Sequence, residues 1–148
     1  MTGVDSSHKI TGNSRRLIRA VTHMHTRVYQ MSGGRLLGRV QGTRVLLLST
    51  TGRKTGRCHT MPLGSVSDGE NHVVVASNGG KHWHPDWWLN LKSNQDALIE
   101  VGIQRMQVIA YQAHGQEAVR LGMRFPWLHR YQKRTNREIP VVILRPVT

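Results

Sequence analysis

An early stretch of the chain alternates strand-like runs with turn-forming residues, and this alternation restricts the folds open to it. Residues 43–49 and 72–77 are mostly consecutive aliphatic residues, many of them β-branched, as in buried strands. Residues 59–66 form a further predicted strand, in which Pro62 marks a break or a sheet edge. An Asp-Gly dipeptide before the third run is a strong hairpin signal. Strands joined so closely pair antiparallel, so the sequence predicts a meander rather than βαβ units.

The rest of the chain adds three strands and two helical regions. Strands are predicted at residues 97–101, 105–113 and 140–144, and helices at 85–94 and 116–132, the second interrupted at a proline. Six strands with a short helix after the third predict a mainly β (α+β) fold. We expect a small barrel of about six antiparallel strands with peripheral helices.

The N-terminal part is predicted to precede this barrel. Residues 1–13 carry little apolar material and are interpreted as a flexible segment, and residues 14–42 as a basic amphipathic helix with its connector. Residues 43–148 then form the barrel domain. The basic side of the helix includes Arg15, Arg16 and Arg19. Two interpretations of the helix remain open, packing against the domain or contact with an anionic membrane surface.

Charge and cysteine content narrow the possible partners and compartment. The net charge of +13 favours an acidic partner, which is a nucleic acid, an anionic membrane surface or a polyanionic small molecule. Aromatic residues make up only 5% of the chain and the basic residues are spread along it, so we expect no nucleic-acid partner. Cys58 is the only cysteine, and no apolar run is long enough to cross a membrane. These features predict a cytoplasmic protein.

The loop after the first predicted strand carries the clearest binding chemistry. Gly52 and Gly56 bracket a basic segment, and glycine allows a sharp turn that presents backbone N–H groups. Arg53, Lys54 and Arg57 add positive charge. The spacing of the glycines is too short for a Walker loop. A phosphate or carboxylate site and a solvated hairpin turn both remain open.

Other groups of residues give weaker evidence of a functional site. His59, His72, His82 and His84 lack a fixed ligand spacing, so we expect no metal site. No Gly-x-Gly-x-x-Gly follows a strand, and no Gly-x-Ser-x-Gly elbow is present. The adjacent tryptophans of the short helix suit either the core or a cofactor contact.

Several motifs together resemble one known family. These are Leu47-Leu48-Ser49-Thr50-Thr51-Gly52-Arg53-Lys54-Thr55-Gly56, Met61-Pro62-Leu63, Val75-Ala76-Ser77-Asn78-Gly79-Gly80, Pro85-Asp86-Trp87-Trp88-Leu89-Asn90-Leu91 and Thr135-Asn136-Arg137-Glu138-Ile139-Pro140. In this combination and order they are similar to the deazaflavin-dependent nitroreductase family. The resemblance implies a split β-barrel, flavin-reductase-like, that binds coenzyme F420, a deazaflavin with a phosphate and a polyglutamate tail.

The resemblance also implies a set of site residues. Those expected at the cofactor are Leu47, Ser49, Arg53, Lys54, Thr55, Gly56, Arg57, His59, Met61, Pro62, Val75, Ala76, Ser77, Asn78, Trp87, Trp88 and Asn90. Tyr131 and Ser77 are the candidates for polarising or protonating the hydride acceptor. The expected substrate pocket comprises Gly64, Phe125, Leu128 and Tyr131. Family members have tyrosines at the first three of these positions, so the pocket is expected to be more apolar here.

The expected function is hydride transfer from the reduced deazaflavin to a small organic acceptor such as a quinone, an enone or a nitro compound. Loss of the pocket tyrosines makes nitro reduction the weakest of these expectations. Two alternatives remain, a non-catalytic protein that binds or carries the deazaflavin, and a flavin mononucleotide enzyme on the same barrel. The sequence leaves the oligomeric state open.

Overall fold

A computed structural model describes the backbone of residues 39–40 and the whole of residues 43–147. The predicted flexible segment at 1–13 and the predicted amphipathic helix at 14–30 lie outside these residues. The domain boundaries at these segments therefore stay predictions.

The described residues form seven strands, three short α-helices and a 3₁₀ turn at Asn78–Gly80. The strands are β1 Arg39–Val40, β2 Thr43–Thr51, β3 Cys58–Asp68, β4 Asn71–Val75, β5 Asp96–Val101, β6 Gln104–Gln112 and β7 Val141–Pro146. The helices are α1 Asp86–Ser93, α2 Gly115–Gly122 and α3 Leu128–Gln132. The six long strands fall where the sequence predicts them, and their ends differ from the predicted ones by at most two residues: β4, for example, ends at Val75 rather than at residue 77.

The sheet closes on itself. Its strand order is β1-β2-β3-β4-β7-β6-β5, every neighbouring pair is antiparallel, and β2 also pairs with β5 through Leu47–Ser49 and Leu98–Glu100. This last pairing joins the two ends of the sheet into a six-stranded barrel, with β1 attached at the rim. The expected small antiparallel barrel is therefore confirmed.

The barrel interior is filled by aliphatic side chains and by one face of α1. Trp87, Trp88 and Leu91 of this helix pack in one cluster with inward-facing strand residues. The strand members are Leu46, Leu48, Val74, Ile99, Val101, Val108, Ala110, Val142 and Leu144, and Ala76 joins them directly after β4. Burying one large aliphatic side chain stabilises the fold by roughly 1.5–3 kcal/mol, so the helix closes the barrel as part of its core.

A second apolar layer covers the outside of β4 and β7. The outward-facing side chains of Val73, Val75, Val141 and Ile143 pack against residues of the α2–α3 region, including Leu121 and Phe125. Because both faces of β4 and β7 are covered, their sequences are continuous apolar runs. In contrast, β6 alternates buried and exposed residues because only its inner face is covered.

Candidate functional site

The barrel is split between β3 and β4. These strands pair only at their hairpin end, through Val66–Asp68 and Asn71–Val73. Beyond that point β3 pairs with β2 alone among the described strands, as far as Cys58, while β4 follows β7. The separation leaves one edge of β3 open at Pro62, which agrees with the sheet edge predicted there.

A groove of about 480 Å³ adjoins this split. It is lined by Met61, Leu63, Val75, Ser77, Asn78, Gly79, Trp83, His84, Pro85, Asp86 and Trp87. The β3 side contributes apolar groups, the segment between β4 and α1 contributes hydroxyl, amide and imidazole groups, and the start of α1 contributes a carboxylate. Pockets for small organic molecules typically have volumes of roughly 300–1,000 Å³ and this mixed lining, so the groove can hold a conjugated ring system.

A tight turn directs the chain along the groove after β4. Asn78, Gly79 and Gly80 all have positive φ angles, of 47°, 65° and 78°. Asparagine and glycine tolerate this left-handed conformation best. The Asn78 side-chain N–H₂ donates to the carbonyl of Trp83 at 3.1 Å. At Gly80, an added Cβ would lie 3.0 Å from the carbonyl oxygen of Tyr131. The turn is therefore packed directly against α3.

The basic loop between β2 and β3 differs from the expected backbone cradle. Gly56 has the positive φ that a sharp turn requires, at 70°. Gly52 is not in that region, and its missing side chain makes room instead, because a Cβ there would lie 2.9 Å from His59 Nε2. The backbone N–H groups of Gly52, Gly56 and Arg57 are already bonded within the loop. These three N–H groups are therefore not available to an anion.

Arg53 attaches this loop to α1. Its backbone N–H and its guanidinium both donate to Asn90 Oδ1, at 3.2 and 2.9 Å, and the guanidinium also pairs with Asp86 at 3.2 Å. Asn90 in turn donates to Thr50 Oγ1 within the buried interior. Since Asp86 also lines the groove, the loop and the groove are adjacent.

Lys54 and Arg57 remain for an anionic ligand. Both side chains are exposed, and within the described residues neither forms an ion pair. A phosphate or carboxylate beside the groove would therefore meet two free cations.

Arg137, in the segment before β7, organises the opposite wall of the groove. Its guanidinium donates to the carbonyl oxygens of Lys81, Ala76 and Ser77, at 2.9, 3.2 and 2.8 Å. A further N–H of the same group lies 3.2 Å from Nδ1 of His84. One side chain thus holds the chain at both ends of the turn that follows β4. Arg137 belongs to one of the family motifs, but the sequence did not indicate that it would hold this turn.

The structure brings only part of the predicted cofactor set to the groove surface. Met61, Val75, Ser77, Asn78 and Trp87 line the groove. The remaining strand and helix residues of the set lie elsewhere: Leu47 is buried on the outer face of β2, Ala76 and Trp88 are in the barrel core, and Asn90 is buried beside Thr50.

Two strand positions of the predicted set have partners on neighbouring strands. Ser49 exchanges a hydrogen bond with Thr60 at 2.7 Å, and Pro62 lies opposite Leu47. Groove residues that the sequence analysis did not assign are Leu63, Gly79, Trp83, His84, Pro85 and Asp86. Most of these residues belong to the quoted motifs or flank them, and that position is the sequence feature that could have identified them.

The predicted substrate-pocket residues gather around Trp127. The ring centroid of Trp127 lies 5.5 Å from Phe125 and 5.3 Å from Tyr131, and a Cβ at Gly64 would be 3.9 Å from the indole. Phe125 and Trp127 are 2% and 7% exposed, so this cluster is packed rather than open. None of the four predicted residues lines the groove itself, although Val75 belongs to both regions.

Within the described residues, groups of metal ligands and membrane-spanning helices are both absent. There, no three histidine, cysteine, aspartate or glutamate side chains converge as metal ligands, and the rings of His82 and His84 contact Thr135 and Arg137 instead. Over residues 43–147, no helix has the length and apolar character needed to cross a membrane.

Comparisons with known proteins agree with this architecture. The sequence model of the family described as F420H(2)-dependent quinone reductase matches residues 21–146. An F420H(2)-dependent quinone reductase of Mycobacterium tuberculosis (strain ATCC 25618 / H37Rv) is 39% identical over 132 residues, covering 82% of this chain and 87% of the relative.

Among solved structures, an F420-H2 dependent reductase is 31% identical with a TM-score of 0.63, covering 68% of this chain and 93% of that one. A second structure, described as a domain-swapped dimer, is 26% identical with a TM-score of 0.65, covering 89% of this chain and 99% of that one. The resemblance to deazaflavin-dependent reductases is thereby confirmed, and the chain belongs to the F420H(2)-dependent quinone reductase family.

Proposed function

We propose that this protein is a coenzyme F420-dependent oxidoreductase that passes hydride from the reduced deazaflavin to a quinone. Family membership supplies the cofactor and the acceptor class. The observation that carries the proposal is the groove at the barrel split, joined through Asp86 to the loop that bears two free cations. This arrangement suits a molecule with a flat ring at one end and negative charge at the other.

The residues present fit the deazaflavin. Met61, Leu63 and Trp87 offer apolar surface to a ring, while Ser77 and His84 offer polar groups to its edges. Lys54 and Arg57 would hold the phosphate and the carboxylates of the tail through charge-assisted hydrogen bonds. Once bound, the reduced cofactor supplies the hydride, and the chain contributes position and exclusion of water.

The experiment that tests this function is a fluorescence titration with coenzyme F420, with flavin mononucleotide in parallel, followed by turnover with a soluble quinone. Selective micromolar or tighter binding of F420 and F420H(2)-dependent quinone reduction are expected. Preference for flavin mononucleotide would contradict the cofactor assignment. Binding of F420 without turnover of quinones, enones or nitro compounds would support the carrier alternative instead.

Ser77 and Tyr131 are the proposed groups that polarise or protonate the acceptor. Ser77 lines the groove, and Tyr131 packs on Trp127 beside the turn that bounds it. If Tyr131 has this role, Tyr131→Phe lowers kcat for quinones about tenfold or more while the F420 Kd stays within twofold. Unchanged turnover on every acceptor would remove Tyr131 from the role and leave Ser77, to be examined as Ser77→Ala.

We also propose a cytoplasmic location with peripheral contact to the inner face of the membrane. The support is the basic amphipathic pattern of residues 14–30, which lie outside the described residues, and the apolar character of quinones that reside in membranes. Co-sedimentation with anionic liposomes should fall when Arg15, Arg16 and Arg19 are replaced by glutamine. Equal sedimentation before and after would contradict the membrane contact.

A further inference from the structure

The hydrogen bond between Arg137 and His84 fixes the state of an imidazole in the groove wall. A guanidinium can only donate hydrogen bonds, so Nδ1 of His84, 3.2 Å from it, must accept. The ring is therefore neutral and carries its proton on Nε2. Because three backbone carbonyls orient the guanidinium, the ring cannot easily choose the other tautomer.

The surrounding charges favour the same neutral state. The pKa of His84 is lowered first by burial and then by the positive charges of Arg137 and Lys92. Lys81, in the same segment, is a cation and therefore does not favour protonation of His84 either. Asp86 is the carboxylate that lines the same groove, and it is paired with Arg53. The imidazole is thus a hydrogen-bond donor that resists protonation.

Nε2–H is the group that the ring leaves for a ligand. Nδ1 and Nε2 lie on opposite sides of the imidazole, so the bond to Arg137 turns Nε2 away from that residue. Within the described residues, Nε2 of His84 has no hydrogen-bond partner. Since His84 lines the groove, a molecule in the groove can reach this donor.

We propose that His84 donates a hydrogen bond from Nε2 to a carbonyl oxygen of a conjugated ring bound in the groove, and that Arg137 is the positioning residue that fixes its tautomer. The inference rests on the proposed function, because both the deazaflavin and a quinone carry such oxygens. A quinone oxygen becomes negative as hydride arrives, and a preformed donor there stabilises it. A donor to the cofactor ring would instead strengthen cofactor binding.

The tautomer is tested without any ligand, by ¹⁵N NMR of the histidine rings in the apo protein. His84→Gln identifies the His84 signals among the nine histidines. We expect an unprotonated Nδ1 and a protonated Nε2 that persist below the pH at which an ordinary histidine titrates. In Arg137→Lys the ring should titrate closer to the ordinary range. Protonation of Nδ1 in the wild-type protein at pH 7 would overturn the proposal.

The ligand contact is tested with His84→Phe, which keeps a ring without a donor, and His84→Gln, which keeps a donor. His82→Phe and His82→Gln are matched controls, since His82 contacts Thr135 and does not line the groove. If the F420 Kd rises about tenfold in His84→Phe and recovers in His84→Gln, the partner of Nε2–H is an oxygen of the cofactor ring. If the Kd is unchanged and kcat/KM for the quinone falls about tenfold in His84→Phe and recovers in His84→Gln, the partner of Nε2–H is an oxygen of the quinone.

If the F420 Kd and the kcat/KM for the quinone in the His84 variants match those in the His82 variants, the donor role of His84 is refuted. If the wild-type protein does not bind F420 at all, the proposed function is contradicted. The tautomer of His84 is still tested in that case, because the NMR experiment on the apo protein needs no ligand.

Discussion

At the scale of single residues, Asn90 is a structural amide that connects the basic loop to the interior of the barrel. Its carbonyl accepts two hydrogen bonds from Arg53, and its N–H₂ donates to Thr50 in the interior. Replacing it with alanine removes the partner of the buried Thr50 hydroxyl and of the Arg53 backbone N–H. We therefore expect Asn90→Ala to lower the free energy of unfolding by about 1–3 kcal/mol in urea denaturation. Asn136→Ala, at an exposed position, is the control and should change it by less than about 0.5 kcal/mol. Equal effects of the two variants would contradict this structural role.

His72 in β4 should make the stability of the fold depend on pH. Burial is the first cause that lowers its pKa from the ordinary 6.5, and the charge of Arg44 is the second. The unfolded chain then binds more protons than the folded chain as pH falls below 6.5. Stability is thus fully present above that pH and is lost as the pH falls toward the lowered pKa.

The measurement for His72 is the urea midpoint between pH 5 and 7. His72→Gln should reduce the slope of the midpoint against pH, and some slope should remain because His84 is shifted in the same direction. His129→Gln, at an exposed position, is the control. An unchanged slope in His72→Gln would show that burial of this imidazole does not govern the dependence.

At the scale of elements, Gly64 allows the close approach of β2, β3 and the aromatic cluster. A Cβ at this position would lie 2.3 Å from Thr43 Oγ1, which forces Thr43 to move. Gly64→Ala should therefore destabilise the fold by about 1–3 kcal/mol. In a Thr43→Ala background the same change should cost less, because the clashing oxygen is gone. A double-mutant cycle measures this coupling, and strict additivity of the two changes would contradict the predicted clash.

The elements also show which features the sequence could predict. Continuous apolar runs in β2, β4 and β7 and alternation in β6 are local patterns, because burial on two faces or one face determines them directly. The β2–β5 pairing that closes the barrel joins residues about fifty positions apart, and no local pattern encodes it. The motifs indicated the basic loop and Trp87 but not the role of Arg137, because its carbonyl partners come from a segment about sixty residues earlier.

At the scale of the whole molecule, the chain carries a large positive charge, and few of the charged side chains in the described residues form ion pairs. Among the described residues the ion pairs are Arg53–Asp86, Arg105–Glu100 and Arg120–Asp68. Such pairs near the surface contribute little to stability. Because the net charge of +13 already counts the carboxylates of these pairs, that whole excess of positive charge attracts a ligand with several negative charges. An attraction of this kind raises the rate of association and weakens as salt is added.

The salt dependence of F420 binding should therefore report on the basic loop. For the wild-type protein we expect the Kd to rise steadily between about 50 and 500 mM salt, since the Debye length falls from roughly 14 Å to 4 Å over that range. Lys54→Gln with Arg57→Gln should weaken binding at low salt by about tenfold, or ~1.4 kcal/mol, and should flatten the dependence on salt.

Arg130→Gln with Lys133→Gln removes the same charge from exposed positions on and after α3, and is the control. If net charge alone attracts the cofactor, both double variants will flatten the salt dependence equally. If the loop cations contact the phosphate and the tail, only Lys54→Gln with Arg57→Gln will do so, because direct contacts act within a few ångströms whereas the control charges are screened at moderate salt. The difference between the two slopes, measured by fluorescence titration, separates local recognition from attraction by the molecule as a whole.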